Sequence, residues 1–476
     1  MTSATENSTA NIRNFYIKKN QYYHDKILQI CQHHIFNRAK VLEVGCGTGN
    51  LIGRLERCSL KAGIDINPSF IEAASRDYPD TEFAAGDARH FSIEQYLSAF
   101  DLIILSDTLA YLADVEEVLR NIRRFLAPHG KLFLTQTSSL WEPIYHLGSQ
   151  FNLRSPIQPA NWLSPSDIDN LLRITEYELV KSEFELLLPV KIPFLSYFFN
   201  RFVAKLWLVR HFCVLRYHIA RPYGGTKKLP PLPANEYTVS IIVPARNEAG
   251  NIKQIIAELP QMGQKTEIIF VEGNSSDNTW EVIKEAYEQH GQTRTIQIAQ
   301  QDGKGKADAI RKGFSLAQGD ILMIFDADLT VPPSELSKFY NLITSGMADF
   351  IIGNRLVYPM EKQAMRFLNK LGNKLFGFLL SFIIGQPCRD TLCGVKALWR
   401  EDYEKMTAHR VLPIDFDPFG DFDLLFGAAK SNLKIMEIPV HYKARTYGRT
   451  NISRFLDGWR LFKMCWVAAL RIKFHG

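Results

Sequence analysis

A chain of 476 residues, 46% hydrophobic and 22% charged, has globular composition and roughly twice the length of a common domain, so two or three cores are expected. The formal charge of +6 is modest for that length and argues against nucleic acid as a main partner. Seven cysteines fall singly, with no CxxC pair, which excludes a recognisable zinc site or disulfide framework and suits a reducing cytoplasm.

The amino terminus, MTSATENSTANIRNFY, is polar, with no basic flank followed by an apolar run. No secretory signal is read there, and the expected location is cytoplasmic. Further on, short β-branched runs at 41–44 and 102–105 alternate with helical patterns. The same alternation returns at 239–243, 268–271 and 321–325. Both halves therefore read as α/β with mainly parallel sheets. The first run, AKVLEV, leads straight into Gly45, Gly47 and Gly49, a glycine-rich turn between strand and helix where backbone can approach a ligand closely. A nicotinamide-type fingerprint wants its third glycine at position 50, where Asn50 stands, so the spacing argues against a dehydrogenase. The next strand ends in Asp65, at the distance from the first glycine expected of a carboxylate that accepts ribose hydroxyls, and Asp87 closes the strand after it.

Glu43, the glycine turn, Asp65, Asp87 and the run FDLIILSDTLAYLADVEEVLRNIRRFLAPHGKLFL together resemble a class I methyltransferase, a Rossmann-like domain taken as residues 1–185. The resemblance implies S-adenosylmethionine as cofactor. Its amino-acid part would face Gly45, Gly47 and Gly49, its ribose Asp65, and its adenine Asp87. Methyl transfer chiefly needs the acceptor aligned. Asp107, Tyr111, His129 and His146 are candidates to face that acceptor, and no spacing singles out a base.

Residues 186–236 read as a connecting segment. Its first part interleaves Phe194, Tyr197, Phe198, Phe199, Phe202, Trp207, Phe212 and Tyr217 with Arg201, Lys205, Arg210 and Arg216. That mixture suits a bilayer surface, or equally an amphipathic helix packed on its own domain. Its end, RPYGGTKKLPPLPANEY, is too rich in proline and glycine for regular structure and marks the domain boundary.

The second half, 237–476, opens with SIIVPARNEAGNI, where a strand breaks at Pro244 ahead of Ala245, Arg246 and Glu248. A second strand ends at Glu272, with Asp277 five residues on. The apolar run ILMIF then delivers Asp326 and Asp328, two carboxylates spaced to share one hard cation, Mg²⁺ or Mn²⁺, while leaving positions for a diphosphate.

SIIVPARNE, FVEGNSSDNT, GKGKADAIRKGF, FDADLT, IIGNR, RDTLCGVKALWR, GDFDLL and RTYGRTNIS together resemble family-two glycosyltransferases of the GT-A fold, particularly dolichyl- or polyprenyl-phosphate sugar synthases. The resemblance implies inverting transfer from a UDP- or GDP-linked sugar to a lipid phosphate. It sets the nucleotide against Pro244, Ala245, Arg246, Glu248, Glu272, Asp277 and Lys306, the metal at Asp326 and Asp328, and the diphosphate near Arg445. Three positions depart from the family pattern. Glu272-Gly273 replaces a pair of aspartates, which leaves the nucleobase open. Thr330 stands where a glutamine would complete the metal site. The closing motif reads Gly448-Arg449-Thr450-Asn451 in place of G-x-S-K, so one lysine contact is missing or replaced by Arg449 or Arg454.

A lipid phosphate is already anionic, whereas a hydroxyl acceptor needs a base, for which Asp421 and Asp423 are the candidates. For a phosphate acceptor, Arg355, Arg389 and Arg445 are the candidate clamps, with structural ion pairs as the other reading of each. The apolar stretch 375–385 is about half of the ~20 residues a spanning helix needs. With the basic, tryptophan-containing tail 457–474 it fits peripheral contact with the cytoplasmic face of a membrane. Two function classes stay open for the whole chain: a bifunctional enzyme, or a glycosyltransferase whose first half is a docking or regulatory module.

Overall fold

The computed structural model describes residues 2–151, 161–224, 233–359, 367–408, 410–413, 416–417, 419–445, 447 and 454–474. The chain divides into two compact units, 1–227 and 228–475, and the division falls within the Pro/Gly-rich boundary segment.

The first unit is built on seven strands: β1 (Ala39–Val44), β2 (Cys58–Asp65), β3 (Glu82–Ala85), β4 (Phe100–Ser106), β5 (Leu126–Thr137), β6 (Tyr177–Glu185) and β7 (Leu215–Pro222). They lie in the order β3-β2-β1-β4-β5-β7-β6. Pairing is parallel from β3 to β5, and antiparallel where β7 enters between β5 and β6. The near-continuous apolar runs of β1 and β4 suit strands covered on both faces. Val41, Ile104 and Phe133 point into one core, and Leu42, Ile103 and Leu105 into the other. Strand order reverses between β1 and β4, which opens a crevice at the carboxyl ends of those strands.

One expectation is corrected here. Residues 215–222 are no connector, because β7 pairs with β5 from Leu132↔Ala220 to Thr137↔Leu215 and with β6 along its length. Tyr217 is buried and stacks on Phe133 at 5.4 Å. The aromatic and cationic composition of the segment hid a strand on which Tyr217 is buried.

The second unit repeats the principle with β8 (Thr238–Ala245), β9 (Lys265–Glu272), β10 (Thr295–Gln300), β11 (Ile321–Ile324), β12 (Phe350–Asn354), β13 (Lys396–Trp399) and β14 (Ile435–Pro439). Their order is β10-β9-β8-β11-β13-β12-β14, parallel except for β13, which runs antiparallel to both of its neighbours. Alternate residues of the central strands, such as Ile242 and Ile241, enter separate cores on the two faces. The order reverses between β8 and β11, so a second crevice opens beside Ala245 and the turn after Ile324. Among the described residues no helix is long and apolar enough to cross a membrane.

Candidate active sites

In the first unit the turn after β1 is held by backbone: the N–H groups of Gly45 and Cys46 both donate to Ile64 O, at 2.8 and 3.0 Å. Gly45, Gly47 and Gly49 all have positive φ. Asp65, at the end of β2, accepts from Gly47 N at 2.8 Å and Asn67 N at 2.9 Å, so it clasps the glycine turn from the neighbouring strand. Glu43 is buried and accepts from Ile52 N at 3.0 Å. Burial pushes its carboxyl up to about 8, against the pull of that N–H and of the Arg13 guanidinium. Asp87 is gripped by Arg89, with Nη2 at 2.6 Å from Oδ2, and that hydrogen bonding holds it down at about 2.

These groups border a cavity of about 850 Å³ whose lining includes Glu43, Gly45, Asp65 and Asp87, a size that accepts a cofactor-sized molecule. Its other end is aromatic, lined by Tyr23, Tyr111, Trp141, Tyr145 and Trp162 around Asp107. Tyr23 OH donates to Asp107 Oδ2 at 2.8 Å, and Asp107 N donates to Thr135 Oγ1 at 3.0 Å. Asp107 and Tyr111 both line the cavity. His129 does not: its Nε2 lies 3.2 Å from Asp101 Oδ1, and it is absent from the cavity lining. The side chain of His146 lies outside those described. Sequence reasoning missed Arg13 and Tyr23, which come from helices Thr2–Lys19 and Gln21–His34, far from any motif.

In the second unit Asp326 and Asp328 lie just past β11, in a turn where Leu329 has φ 53°. Lys306, at the start of helix Lys306–Leu316, places Nζ 2.6 Å from Asp326 Oδ1. Burial alone would raise the Asp326 carboxyl; the Lys306 ammonium overrides it and holds it below the usual range. Asp328 accepts from Arg445 Nη2 at 2.5 Å and from Thr330 Oγ1 at 2.7 Å. Arg445 also lies 3.5 Å from Glu248, which Asn251 fixes at 2.8 Å while binding Ala327 O at 3.0 Å. Burial pushes the Glu248 carboxyl up to about 7; Asp328 and Asp326 add to that, and Arg445 and Asn251 oppose it. A Cβ on Gly394 would run into the Asp326 carboxylate, so a larger residue there would displace that carboxylate.

The remaining nucleotide-side residues group around the end of β8. Pro244 and Ala245 pair with Val271 and Glu272. Glu272 is buried and accepts from Ser275 N at 2.5 Å and Gln300 Nε2 at 3.1 Å. Asp277 accepts from Thr279 N at 3.0 Å, and Tyr447 OH approaches its Oδ2 at 3.5 Å. Arg246 is exposed. Arg355 answers to the structural reading: it forms a bidentate pair with buried Asp390, 2.8 Å from Nε and 2.7 Å from Nη2, and is spent as a phosphate clamp. Arg389 is exposed. Asp421 accepts from the buried Lys396 at 2.5 Å, and Asp423 from Arg410 at 2.8 Å. Lys396 lies within RDTLCGVKALWR and Asn251 within SIIVPARNEAGNI, yet neither motif singles them out as site residues. Gly448, Arg449, Thr450 and Asn451 lie outside the described residues, as does the side chain of Arg454. Among the described residues no three His, Cys, Asp or Glu side chains form a metal-ligand cluster.

Comparison with known proteins follows the same division. The family model described as glycosyl transferase family 2 matches residues 240–407, and that described as a methyltransferase domain matches residues 42–134. Glycosyltransferase AglJ of Haloferax volcanii is 30% identical over 227 residues, which cover 47% of this chain and 69% of that protein. Dolichol-phosphate mannosyltransferase of Pyrococcus furiosus is 28% identical over 222 residues, covering 45% of this chain and 59% of the relative. A UDP-N-acetylglucosamine–dolichyl-phosphate N-acetylglucosaminyltransferase of Methanococcus voltae is 25% identical over 238 residues, covering 47% and 93%. A solved SAM-dependent methyltransferase from Thermotoga maritima is 16% identical with a TM-score of 0.35, covering 47% of this chain and 97% of that one.

Proposed function

Because the chain belongs to glycosyl transferase family 2 across residues 240–407 and carries a methyltransferase domain across residues 42–134, we propose that it performs two group transfers: methylation from S-adenosylmethionine, and inverting, metal-dependent transfer of a UDP- or GDP-linked sugar to a polyprenyl phosphate or similar lipid.

The observation that carries the second reaction is the convergence of Glu248, Lys306, Asp326, Asp328 and Arg445 beside the ends of β8 and β11. Three carboxylates share two cations, and Asp328 and Asp326 add to the upward push that burial gives Glu248. An all-oxygen donor set of this kind fits Mg²⁺ or Mn²⁺ at Asp326 and Asp328. When bound, the ion neutralises charge on the departing nucleotide diphosphate. Lys306 and Arg445, freed from the two aspartates, then pair with phosphate oxygens. Pro244, Ala245, Arg246, Glu248, Glu272 and Asp277 line the nucleoside side.

The acceptor follows from Asp421 and Asp423, which are engaged by Lys396 and Arg410 and so are poorly placed to deprotonate a hydroxyl. A phosphate needs no base. The dolichyl-phosphate specificity in the relatives' names supports this choice. Exposed Trp459, Phe462 and Trp466 on helix Arg454–Ala468, with exposed Leu375 and Phe378 on helix Phe367–Ile384, support peripheral membrane contact, on the cytoplasmic face in our reading.

In the first site the cavity beside the Asp65-clasped turn has the size and the polar end that S-adenosylmethionine requires. When bound, the cofactor supplies the methyl group and leaves as a thioether. Asp65 orients the ribose end, the glycine turn admits the amino-acid end, and Asp107, fixed by Tyr23 and Thr135, faces the acceptor.

The test supplies purified protein with radiolabelled UDP- or GDP-sugars, Mg²⁺ or Mn²⁺, and dolichyl or undecaprenyl phosphate, with calorimetric titration of S-adenosylmethionine alongside. Label in the organic phase and a saturable heat are expected. Transfer to a soluble acceptor alone, or full transfer in excess chelator, overturns the glycosyl reading; absence of cofactor binding overturns the methyl one.

A further inference from the structure

Between β6 and β7 the chain makes an excursion, 186–214, whose burial pattern is largely inverted over 194–212. Ser196, Asn200 and Lys205 are 2%, 3% and 4% exposed, whereas Phe194 is 92% and Trp207 70% exposed. Phe198, Leu206, Leu208 and Phe212 are exposed with them.

The buried side chains of Ser196, Asn200 and Lys205 each have polar partners. Asn200 accepts from Leu188 N at 2.7 Å and donates to Leu188 O at 2.9 Å and Tyr22 OH at 3.0 Å. Ser196 Oγ bridges Ile192 N and Val190 O at 2.8 and 2.6 Å. Lys205 pairs with the fully buried Glu185. The aromatic side chains are therefore held outward by a fixed polar footing, and Phe194 takes a left-handed backbone (φ 59°) to stand clear, a conformation that costs a bulky residue free energy. Ordinary surface segments do the reverse.

This face continues to the mouth of the first-unit cavity. Val190 and Ile144 are both exposed and line it. Leu147 and Phe151 extend the exposed apolar surface along the same helical stretch as Ile144. Trp141 Nε1 ties that stretch to Phe212 O at 2.9 Å. Cations sit among the aromatics: Lys191 is exposed, and Arg201 lies 5.2 Å over the Tyr197 ring while donating to its hydroxyl at 2.7 Å. Apolar aromatic tips with interleaved cations complement an anionic lipid surface.

We propose that the excursion is a bilayer-docking element that seats the mouth of the first cavity on an anionic membrane, so that the methyl acceptor is a lipid-borne amphiphile entering past Ile144 and Val190. The acceptor half of this inference rests on the methyl-transfer reading of the cavity; the docking half does not.

The test is hydrogen–deuterium exchange on the full chain, with vesicles of phosphatidylcholine alone or mixed with phosphatidylglycerol, and with none. Amides of 194–212 should slow by about tenfold or more on the mixed vesicles, less on the neutral ones, and the slowing should be lost in Phe194→Ser/Trp207→Ser. Calorimetric binding of S-adenosylmethionine reports that this variant keeps its fold, since neither residue lines the cavity. Unchanged exchange at 194–212, even with slowing at 459–466, overturns the proposal. So does slowing that needs no lipid and grows with protein concentration, which would make a second copy the occupant. A wild-type chain that binds vesicles through 194–212 but takes up no cofactor retains the docking element and loses the acceptor assignment.

Discussion

Lys306 Nζ stands 2.6 Å from Asp326 Oδ1, so the first carboxylate after β11 carries its own counter-ion from the start of a neighbouring helix. Asp328 has a different one, Arg445. Two aspartates separated by one residue are thus paired with separate cations.

Asp328→Asn is expected to abolish sugar transfer and leave the melting temperature nearly unchanged. Its partners are Arg445 and Thr330, at the crevice and outside the core, so the lost charge belongs to the ion and the donor. The check is label transfer with Mn²⁺ beside a thermal melt. Retained activity would sink the metal assignment.

Asp390→Asn should behave in the opposite way. It leaves Arg355 buried with half of a bidentate pair, which costs about 3–5 kcal/mol where such a pair is broken. Urea denaturation should show the loss. A variant with native stability and only a raised acceptor KM would restore Arg355 as a phosphate clamp.

Gly47→Trp should eliminate S-adenosylmethionine binding, because any Cβ at that position runs into the Arg13 guanidinium and the backbone is left-handed. Asp65→Ala should weaken binding by about 1.5–3 kcal/mol, the cost of losing a charged acceptor, and it also frees Gly47 N from its clasp. Titration calorimetry measures both; undiminished affinity in either variant moves the cofactor elsewhere.

Glu43 predicts a pH dependence. Burial raises its carboxyl from 4.5 to about 8 in the folded chain, so the folded state holds the proton more tightly than the unfolded one. Its contribution is fully present below 4.5 and drains away as pH rises to about 8, at no more than about 1.4 kcal/mol per pH unit. Glu43→Gln keeps an acceptor for Ile52 N and removes the titration. Between pH 5 and 8 the wild-type transition of the first unit should fall relative to that of the variant, without cofactor; parallel curves would contradict the burial effect.

What the sequence determined by itself was local and ordered. Apolar runs ending in Glu43, Glu272 and Asp326 read as strands that deliver carboxylates to their ends, because burial on both faces explains such runs. Alternation of those strands with helical patterns set both α/β units and their crevices. Tertiary structure decided which distant charge each carboxylate meets. Nothing near position 390 announces that it takes Arg355, and nothing near 396 that its lysine neutralises Asp421. Tertiary structure also put β7 inside a sheet and turned Phe194 and Trp207, in the stretch before it, outward. The physical reason is the same in each case: periodicity fixes which face of an element is apolar, while long-range pairing fixes what that face, or that charge, will find opposite it.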